Sequence, residues 1–245
     1  MSAIQSDYYT SQSRKLLKQL DKFLTQLRTL LVEHYSEVKA ATMRQEILDE
    51  YKRLIPDLPY IGRGNLFTGN LVQSAWALAL YRVIRRHGGS IEEAGEIIHR
   101  AVEAEVNRKP AFLRRLKGKL RLSRLAMRMM QSAARRSQKR EYPGDWVFEV
   151  IEGDGGTFDV GMDVTECGIV KFLHTQGTDE LAPYLCNLDY LVYQATGVEL
   201  RRTMTLSWGC EKCDFRMLGD GDPMEAWPPK FIEKHCGDSA ELGER

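Results

Sequence analysis

Residues 163–216 read DVTECGIVKFLHTQGTDELAPYLCNLDYLVYQATGVELRRTMTLSWGCEKCDFR and hold four of the five cysteines of the chain. This stretch begins at the end of a predicted strand pair. Residues 146–151 are rich in β-branched and aromatic side chains, and a glycine-rich turn leads into residues 157–164. Two helices follow, and residues 199–207 and 214–218 read as further strands. Strand, strand, helix, helix, strand, strand predicts an antiparallel sheet with helices packed on one face.

The chain before residue 142 reads as helical. Leucines recur at three- and four-residue steps between residues 8 and 35, as in an amphipathic helix whose apolar face joins the core. Further helices are predicted over residues 38–54, 68–87 and 90–108. We therefore predict an α+β protein, in which a helical region of residues 1–141 packs with an α+β region of residues 142–245 as one integrated globular unit. Residues beyond 219 are predicted to be irregular.

Composition limits the cellular context of the chain. Its 245 residues carry a formal net charge of +1, and the first fifteen contain no apolar core of signal-peptide length. The longest apolar run, near residues 75–81, is too short for a transmembrane segment. An odd cysteine count without a secretory signal favours reduced thiols in a cytoplasmic protein, so no disulfide is predicted.

Two cysteines are predicted to lie where helices begin. Thr165 is a suitable N-cap, which puts Cys167 in the first turn of the next helix, and Pro183 suits a first helical position, which puts Cys186 in a first turn as well. The positive end of a helix stabilises a thiolate, so both thiols are expected to have a lowered pKa.

Proton-transfer groups follow both thiols. Asp189 lies one turn beyond Cys186, and His174 lies seven residues beyond Cys167 on roughly the same helical face. Two other interpretations stay open. A free cysteine often serves as a small buried apolar residue, and Cys210-x-x-Cys213 has the spacing of half a zinc site.

A second unusual segment runs from residue 108 to residue 140, with thirteen Lys and Arg and no Asp or Glu. Residues 122–133 form an apolar stripe within it. Such a basic amphipathic helix can bind an anionic membrane or a nucleic acid. We expect instead that the stripe packs on the domain and that the arginines pair with acidic residues elsewhere. No nucleic-acid motif is present, and association into a homo-oligomer through this helix is a further prediction.

Residues 55–65 form a proline-rich loop, Ile-Pro-Asp-Leu-Pro-Tyr-Ile-Gly-Arg-Gly-Asn. Prolines at 56 and 59 and glycines at 62 and 64 interrupt the helix and force an extended or turning path. The loop is either a connection packed against the core or the rigid wall of a pocket, and spacing alone does not separate the two.

Taken together, the loop and the cysteine-containing segment resemble the L-2-amino-thiazoline-4-carboxylic acid hydrolase family. The resemblance runs from about Tyr8 to Met217. The residues that carry it are Ile55–Gly62 with Asn65, the helix that starts near Thr68, Asp163–Cys167, Cys186-x-x-Asp189, and Gly209 followed by Cys213-Asp214-Phe215-Arg216.

The resemblance implies a cofactor-independent hydrolase that opens a cyclic amidine at a non-peptide C–N bond, as when a 2-aminothiazoline carboxylate becomes an N-carbamoyl cysteine. It implies a thiol-dependent mechanism with a small heterocyclic substrate and no metal. The catalytic residues it suggests are Cys186, Cys167, Asp189 and His174. The substrate-binding residues it suggests are Tyr60, Asn65, Arg63, Cys213 and Arg216. A non-catalytic small-molecule or metal-binding module, similar to the vinyl-reductase-like ligand-binding domain, is the alternative.

Overall fold

The computed structural model describes residues 3–219, 221 and 236, so the predicted irregular tail lies almost wholly outside the described residues. The helices are α1 (Ala3–Thr10), α2 (Ser13–His34), α3 (Glu37–Leu54), α4 (Thr68–Arg86), α5 (Ile91–Asn107), α6 (Ala111–Arg121), α7 (Arg124–Ser137), α8 (Gly168–Thr175) and α9 (Ala182–Ala195). The strands are β1 (Val147–Glu152), β2 (Val160–Glu166), β3 (Val198–Arg201) and β4 (Cys213–Gly219). The predicted α+β class is confirmed.

The chain forms two compact units that interleave in sequence. The first comprises residues 1–102, 142–144 and 172–181, and the second comprises residues 103–141, 145–171 and 182–245. The basic segment therefore groups with the sheet rather than with the other helices. That the two units act as one globular body stays a prediction.

The first unit is a helical assembly in which α3 packs against both α2 and α4. The predicted leucine stripe of α2 is buried, and Ser36 caps α3 by accepting a hydrogen bond from the Lys39 amide at 3.3 Å. Glu50 lies buried between helices. Burial opposes its ionisation, yet hydrogen bonds from Arg86 and Arg82 hold its pKa below the usual value.

The second unit contains the predicted antiparallel sheet, with strand order β1-β2-β4-β3. One face is apolar, because Val164 pairs with Cys213, Met162 with Phe215 and Leu200 with Met217. The other face carries charged residues such as Glu149, Asp163 and Arg216. Helix α9 packs against β3 and helix α7 against β1.

Helix α6 packs closely against the end of α9. A Cβ atom on Gly118 would lie 2.2 Å from the carbonyl oxygen of Thr196, so only glycine fits there without a backbone shift. Helix α7 is held by its last turns, where Ala133, Ala134 and Ser137 are buried and the Ser137 hydroxyl accepts a hydrogen bond from the Phe148 amide at 3.2 Å.

The expected packing of the apolar stripe is wrong for its outward half. Leu125 and Met129 keep 70% and 59% of their surface exposed. The expected pairing of the arginines holds only at the ends of the segment, where Arg108 pairs with Glu105 and Arg140 with Glu166. It is wrong for residues 109–139, none of whose Lys or Arg side chains has a carboxylate within 4 Å among the residues that the structure describes. These helices dock by a glycine and alanines, because small residues permit the closest approach. None of the described helices is long and apolar enough to span a membrane.

The close approach at Gly118 predicts a stability effect. Gly118→Ala is expected to lower the free energy of unfolding by about 1–3 kcal/mol, because the added methyl group meets backbone that must move. Urea denaturation of the full chain, followed by circular dichroism, measures it.

The matched control is Gly69→Ala on α4, where a Cβ would meet no atom within 4 Å. This variant should be neutral or more stable by up to about 1 kcal/mol, since alanine favours helix. Equal effects of the two substitutions would contradict the packing of α6 on Thr196.

Candidate active site

One face of α9 carries Cys186, Asp189 and Tyr193. Cys186 is the fifth residue of this helix, so it lies just beyond the first turn in which it was predicted. Asp189 follows one turn later and acts electrostatically on the Cys186 thiol, which confirms the predicted shared face. Tyr193 follows after a further turn.

Arg202 joins this face of α9 to the sheet. Its side chain is 4% exposed. It donates one hydrogen bond to the Asp189 carboxylate at 3.1 Å and another to the Cys186 carbonyl oxygen at 3.0 Å. The guanidinium lies 5.2 Å from the ring centre of Tyr190 and 5.0 Å from that of Phe215.

Arg202 was not among the predicted site residues, although the alternation of side chains along β3 places it on the inward face. Val198 and Leu200 alternate inward along β3, and the next residue in this alternation is Arg202. A charged residue at an inward position calls for a buried partner. Asp189 and the Cys186 carbonyl oxygen provide it.

Two more free thiols join Cys186 in what we call the thiol cluster, formed by Cys167, Cys186 and Cys213. Cys186 and Cys213 both raise the pKa of Cys167 by electrostatic repulsion, and Cys213 also raises that of Cys186. Cys167 directly precedes α8, and its sulfur accepts hydrogen bonds from the amides of Val170 and Ile169, as the helix-start prediction requires.

The connection between β3 and β4 supplies donors to the other two sulfurs. The amide of Leu206 lies 3.2 Å from the Cys213 sulfur, and the hydroxyl of Ser207 bonds to Cys186. Every thiol of the cluster thus has a polar partner.

The predicted lowering of the thiol pKa values is wrong. Burial raises the pKa of Cys186 to about 11, against the attraction of Arg202. Burial also raises the pKa of Cys167, and the two helix amides offset only part of this effect. Desolvation exceeds the helix-end effect because the whole charge of a thiolate loses its water, whereas a helix terminus offers only about half a charge. The thiols are therefore protonated at neutral pH.

We infer a recess beside the thiol cluster from the surroundings of Asp189. Desolvation raises the pKa of its carboxyl group, although Arg202 and Arg121 both work to lower it. The same side chain keeps 37% of its surface exposed. A group that is surrounded by protein atoms and still exposes surface lines a concavity. Arg121 lies at this position too, 4.8 Å from the ring centre of Tyr193.

The remaining cysteines form a disulfide, contrary to the expectation that all five are reduced. Cys210 is bonded to Cys236, 26 residues later. Cys210 therefore cannot supply the predicted half of a zinc site, and no group of three metal-binding side chains occurs within the described part of the chain. The cytoplasmic location stays a prediction, and the disulfide weakens its redox argument.

Arg216 does not face the thiol cluster. It pairs in register with Gly161, on the face of the sheet opposite to Cys213. Its guanidinium donates to the Asp163 carboxylate at 2.7 Å. Burial opposes ionisation of Asp163, but Lys212 and Arg216 together hold its pKa below the usual value. The predicted role of Arg216 in binding a substrate carboxylate is not supported by this placement, whereas Cys213 does join the cluster.

A comparison with protein families matches the part of the chain that contains the thiol cluster. The model of the L-2-amino-thiazoline-4-carboxylic acid hydrolase family matches residues 69–217, which is more than half of the chain. The chain belongs to this family. No curated protein and no solved structure shows a significant match.

The family match includes the whole thiol cluster but begins after the proline-rich loop. In the structure this loop is an internal part of the first unit, since Ile55, Leu58 and Ile61 are buried. The side chain of Asn65 holds the loop together, donating to the Ile61 carbonyl oxygen at 2.8 Å and accepting from the Phe67 amide at 2.9 Å.

The other first-unit residues of the predicted site have diverse surroundings. The ring of Tyr60 packs edge-on against Tyr8 and Tyr142, at 5.0 and 5.2 Å between ring centres, and Arg63 is exposed. His174 keeps 78% of its side chain exposed and bonds to Asp179 at 3.0 Å. Substrate binding by Tyr60, Arg63 and Asn65 and proton transfer by His174 stay predictions.

The raised thiol pKa values of this family member predict slow alkylation. At pH 7 about one Cys186 side chain in ten thousand is a thiolate, because the pKa lies about four units higher. Iodoacetamide should therefore modify Cys186 more slowly than a model thiol. The rate should rise about tenfold per pH unit between pH 7 and 9, as the thiolate fraction rises.

Peptide mass spectrometry at timed intervals measures the rate at each cysteine, and urea-unfolded protein is the control in which all free thiols should react alike. Cys167 should react more slowly than Cys186. A rate at Cys186 that is already at its plateau near pH 7 would contradict burial as the dominant effect.

Proposed function

We propose that this family member opens a small cyclic amidine of the 2-aminothiazoline-4-carboxylate type, or a related heterocycle, with Cys186 as nucleophile. One observation carries the proposal. Arg202 fixes Cys186 and Asp189 together on one face of α9, at a recess, so that a thiol and a proton-accepting carboxylate are held side by side. Nucleophile, base and an orienting third group are the parts that covalent catalysis requires.

Substrate binding supplies the activation that the resting thiol lacks. A 2-aminothiazoline is a basic amidine, so it enters as a cation and lowers the pKa of an adjacent thiol by favouring the thiolate. Asp189 is suited to accept the thiol proton, because a carboxyl group with a raised pKa is a stronger base than an ordinary one. The resting site thus stays unreactive until the ring is in place.

The proposed reaction opens the ring and then hydrolyses a covalent intermediate. The Cys186 thiolate adds to the amidine carbon, the ring sulfur leaves and takes a proton, and the opened chain remains attached to Cys186 through an isothiourea. Water then adds to the same carbon, and Cys186 leaves as a thiol. The product is an N-carbamoyl cysteine, and the sum is substrate plus one water.

The bond that breaks in this reaction is not the C–N bond that the resemblance implied. In a 2-aminothiazoline the released ring atom is sulfur, so a C–S bond is cleaved and both C–N bonds survive in the product. A C–N bond is cleaved only when the leaving ring atom is nitrogen. The site is compatible with either ring, since the attacked carbon is the same.

Arg121 is our candidate for the group that binds the substrate carboxylate, in place of Arg216. It reaches the recess over the ring of Tyr193 and acts electrostatically on Asp189. Arg202 is less suited, because it is buried and already donates to Asp189 and to the Cys186 carbonyl oxygen. A free guanidinium binds a carboxylate through two parallel hydrogen bonds.

The nucleophile is tested by three separate variants, Cys186→Ser, Cys167→Ser and Cys213→Ser. Cys186→Ser should lower kcat for ring opening by about a thousandfold or more, because a hydroxyl next to Asp189 is a far weaker nucleophile than a thiolate. Cys167→Ser and Cys213→Ser should each retain activity within about tenfold. Release of a new thiol from a 2-aminothiazoline carboxylate gives the rate.

The covalent intermediate gives a second measurement. Acid-quenched enzyme should gain the full mass of the substrate, since nothing leaves before water adds, and this gain should vanish in Cys186→Ser only. Full activity of Cys186→Ser would refute the covalent mechanism. Loss of the adduct in Cys167→Ser alone would transfer the role to Cys167.

The carboxylate-binding role predicts a substrate-specific effect of Arg121→Ala. KM for the 4-carboxylate should rise about ten- to a hundredfold, the usual cost of losing a charge-assisted pair of hydrogen bonds. KM for 2-aminothiazoline without the carboxylate should not change.

Arg124→Ala is the matched control, because Arg124 is an exposed arginine three residues away with no carboxylate within 4 Å in the described structure. It should leave both KM values unchanged. A similar rise for both substrates in Arg121→Ala would assign Arg121 a structural role instead.

A further inference from the structure

Helices α6 and α7 present large apolar side chains that are exposed in the described part of the chain. Of the eight large apolar side chains that are exposed among the described residues, six lie between residues 112 and 129. They are Phe112, Leu113, Leu116, Leu120, Leu125 and Met129. Four of them repeat along one side of α6, and two lie one turn apart on α7. We call these six side chains the apolar patch.

The apolar patch is held in place rather than left loose. Gly118 fixes α6 against the carbonyl oxygen of Thr196, and the end of α7 is bonded to β1 through Ser137. Both helices therefore already use their small-residue faces within the second unit. The large apolar residues lie on the faces that remain.

The segment that carries the apolar patch is strongly basic, although the Glu152 carboxylate of β1 accepts a hydrogen bond from Gln131 of α7. Residues 109–139 contain eleven Lys and Arg and no acidic residue. In contrast, arginines elsewhere, such as Arg82, Arg100 and Arg216, pair with carboxylates. The positive field is strong enough to matter locally. Desolvation lowers the pKa of Lys117, and the nearby charges of Arg121 and Lys109 lower it further.

The combination of exposed apolar side chains with many cations favours one kind of binding partner over others. A second copy of the chain would bring two positive surfaces together, which costs free energy without any acidic partner. A nucleic acid would neutralise the charges but would leave six apolar side chains against phosphate and water. An anionic bilayer satisfies both features, since its headgroups bind the cations and its acyl region takes up the apolar side chains.

We propose that the apolar patch and its surrounding cations form a peripheral binding surface for anionic phospholipid membranes. Helices α6 and α7 lie in the interface with the apolar patch inserted among the acyl chains. Lys and Arg side chains extend to the phosphate groups. The protein then works at a membrane surface without spanning it.

Vesicle sedimentation of the full chain tests the proposal. It should bind vesicles of phosphatidylcholine with 30 mol% phosphatidylserine, and bind pure phosphatidylcholine vesicles at least about tenfold more weakly. Binding should weaken further as salt rises, since exposed charges are screened. Failure to bind the anionic vesicles at low salt overturns the proposal.

Two triple variants separate the charge from the apolar contribution. Neutralising Lys119, Arg124 and Arg128 to Gln should weaken binding about a hundredfold, because each cation near an anionic surface contributes about a fivefold factor. Changing Leu116, Leu120 and Leu125 to Ser should weaken binding by about tenfold or more while the salt dependence persists.

Matched controls lie on other helices and loops. Val38→Ser with Leu66→Ser removes the two exposed large apolar side chains outside the apolar patch. Lys15, Lys18 and Lys22 to Gln removes three exposed cations of α2. Both controls should bind vesicles like the unchanged chain, and an equal loss in either control overturns the proposal. Far-UV circular dichroism confirms that each variant is folded.

Two outcomes would assign the surface to another occupant. Tighter binding to a 20-base-pair DNA duplex than to vesicles, unaffected by the leucine variant, would indicate nucleic acid. A dimer in light scattering that the leucine variant abolishes, without vesicle binding, would indicate self-association. Ring opening in vesicle-free buffer is assayed separately, so this test and that of the proposed function can fail independently.

Discussion

The buried guanidinium of Arg202 is the interaction on which the second unit depends. It is nearly inaccessible to solvent, and a cation in that position is tolerated only with partners of opposite charge or strong acceptors. Its partners, the Asp189 carboxylate and the Cys186 carbonyl oxygen, both belong to α9, whereas Arg202 follows β3. The rings of Tyr190 and Phe215, at 5.2 and 5.0 Å from the guanidinium, complete its surroundings. One side chain thereby sets how α9 lies on the sheet and where the Cys186 thiol is held.

Burial makes the thiols of the site less reactive and makes Asp189 a stronger base. It raises the pKa of the thiols and keeps them neutral, which protects a reactive group when no substrate is bound. It also raises the pKa of Asp189, which improves this carboxylate as a proton acceptor. A cationic substrate is the natural counterpart to such a site, because its charge favours the thiolate that the empty recess disfavours.

The second unit contains both the candidate active site and the apolar patch, and α6 contributes to both. Arg121, at the end of α6, lies over Tyr193 beside the recess, while the leucines earlier in the helix remain exposed. Gly118 permits both by letting the helix approach Thr196 closely. The basic segment therefore does more than balance the negative charge of the rest of the chain. The Lys and Arg side chains of residues 109–139 have no carboxylate partners within the described structure, so they remain available to an external anion.

The sequence by itself determined the elements and part of the site. Leucine spacing located the long helices, alternation located the strands, and Cys186 with Asp189 on one helical face followed from a three-residue step. Only the tertiary structure decided what depends on distant residues. Desolvation of the thiols, the Cys210–Cys236 bond and the pairing of Arg202 all join residues that local periodicity does not relate. Periodicity also gave the apolar stripe of α7 but not its exposure, because an amphipathic pattern states which side chains share a face and not what covers that face.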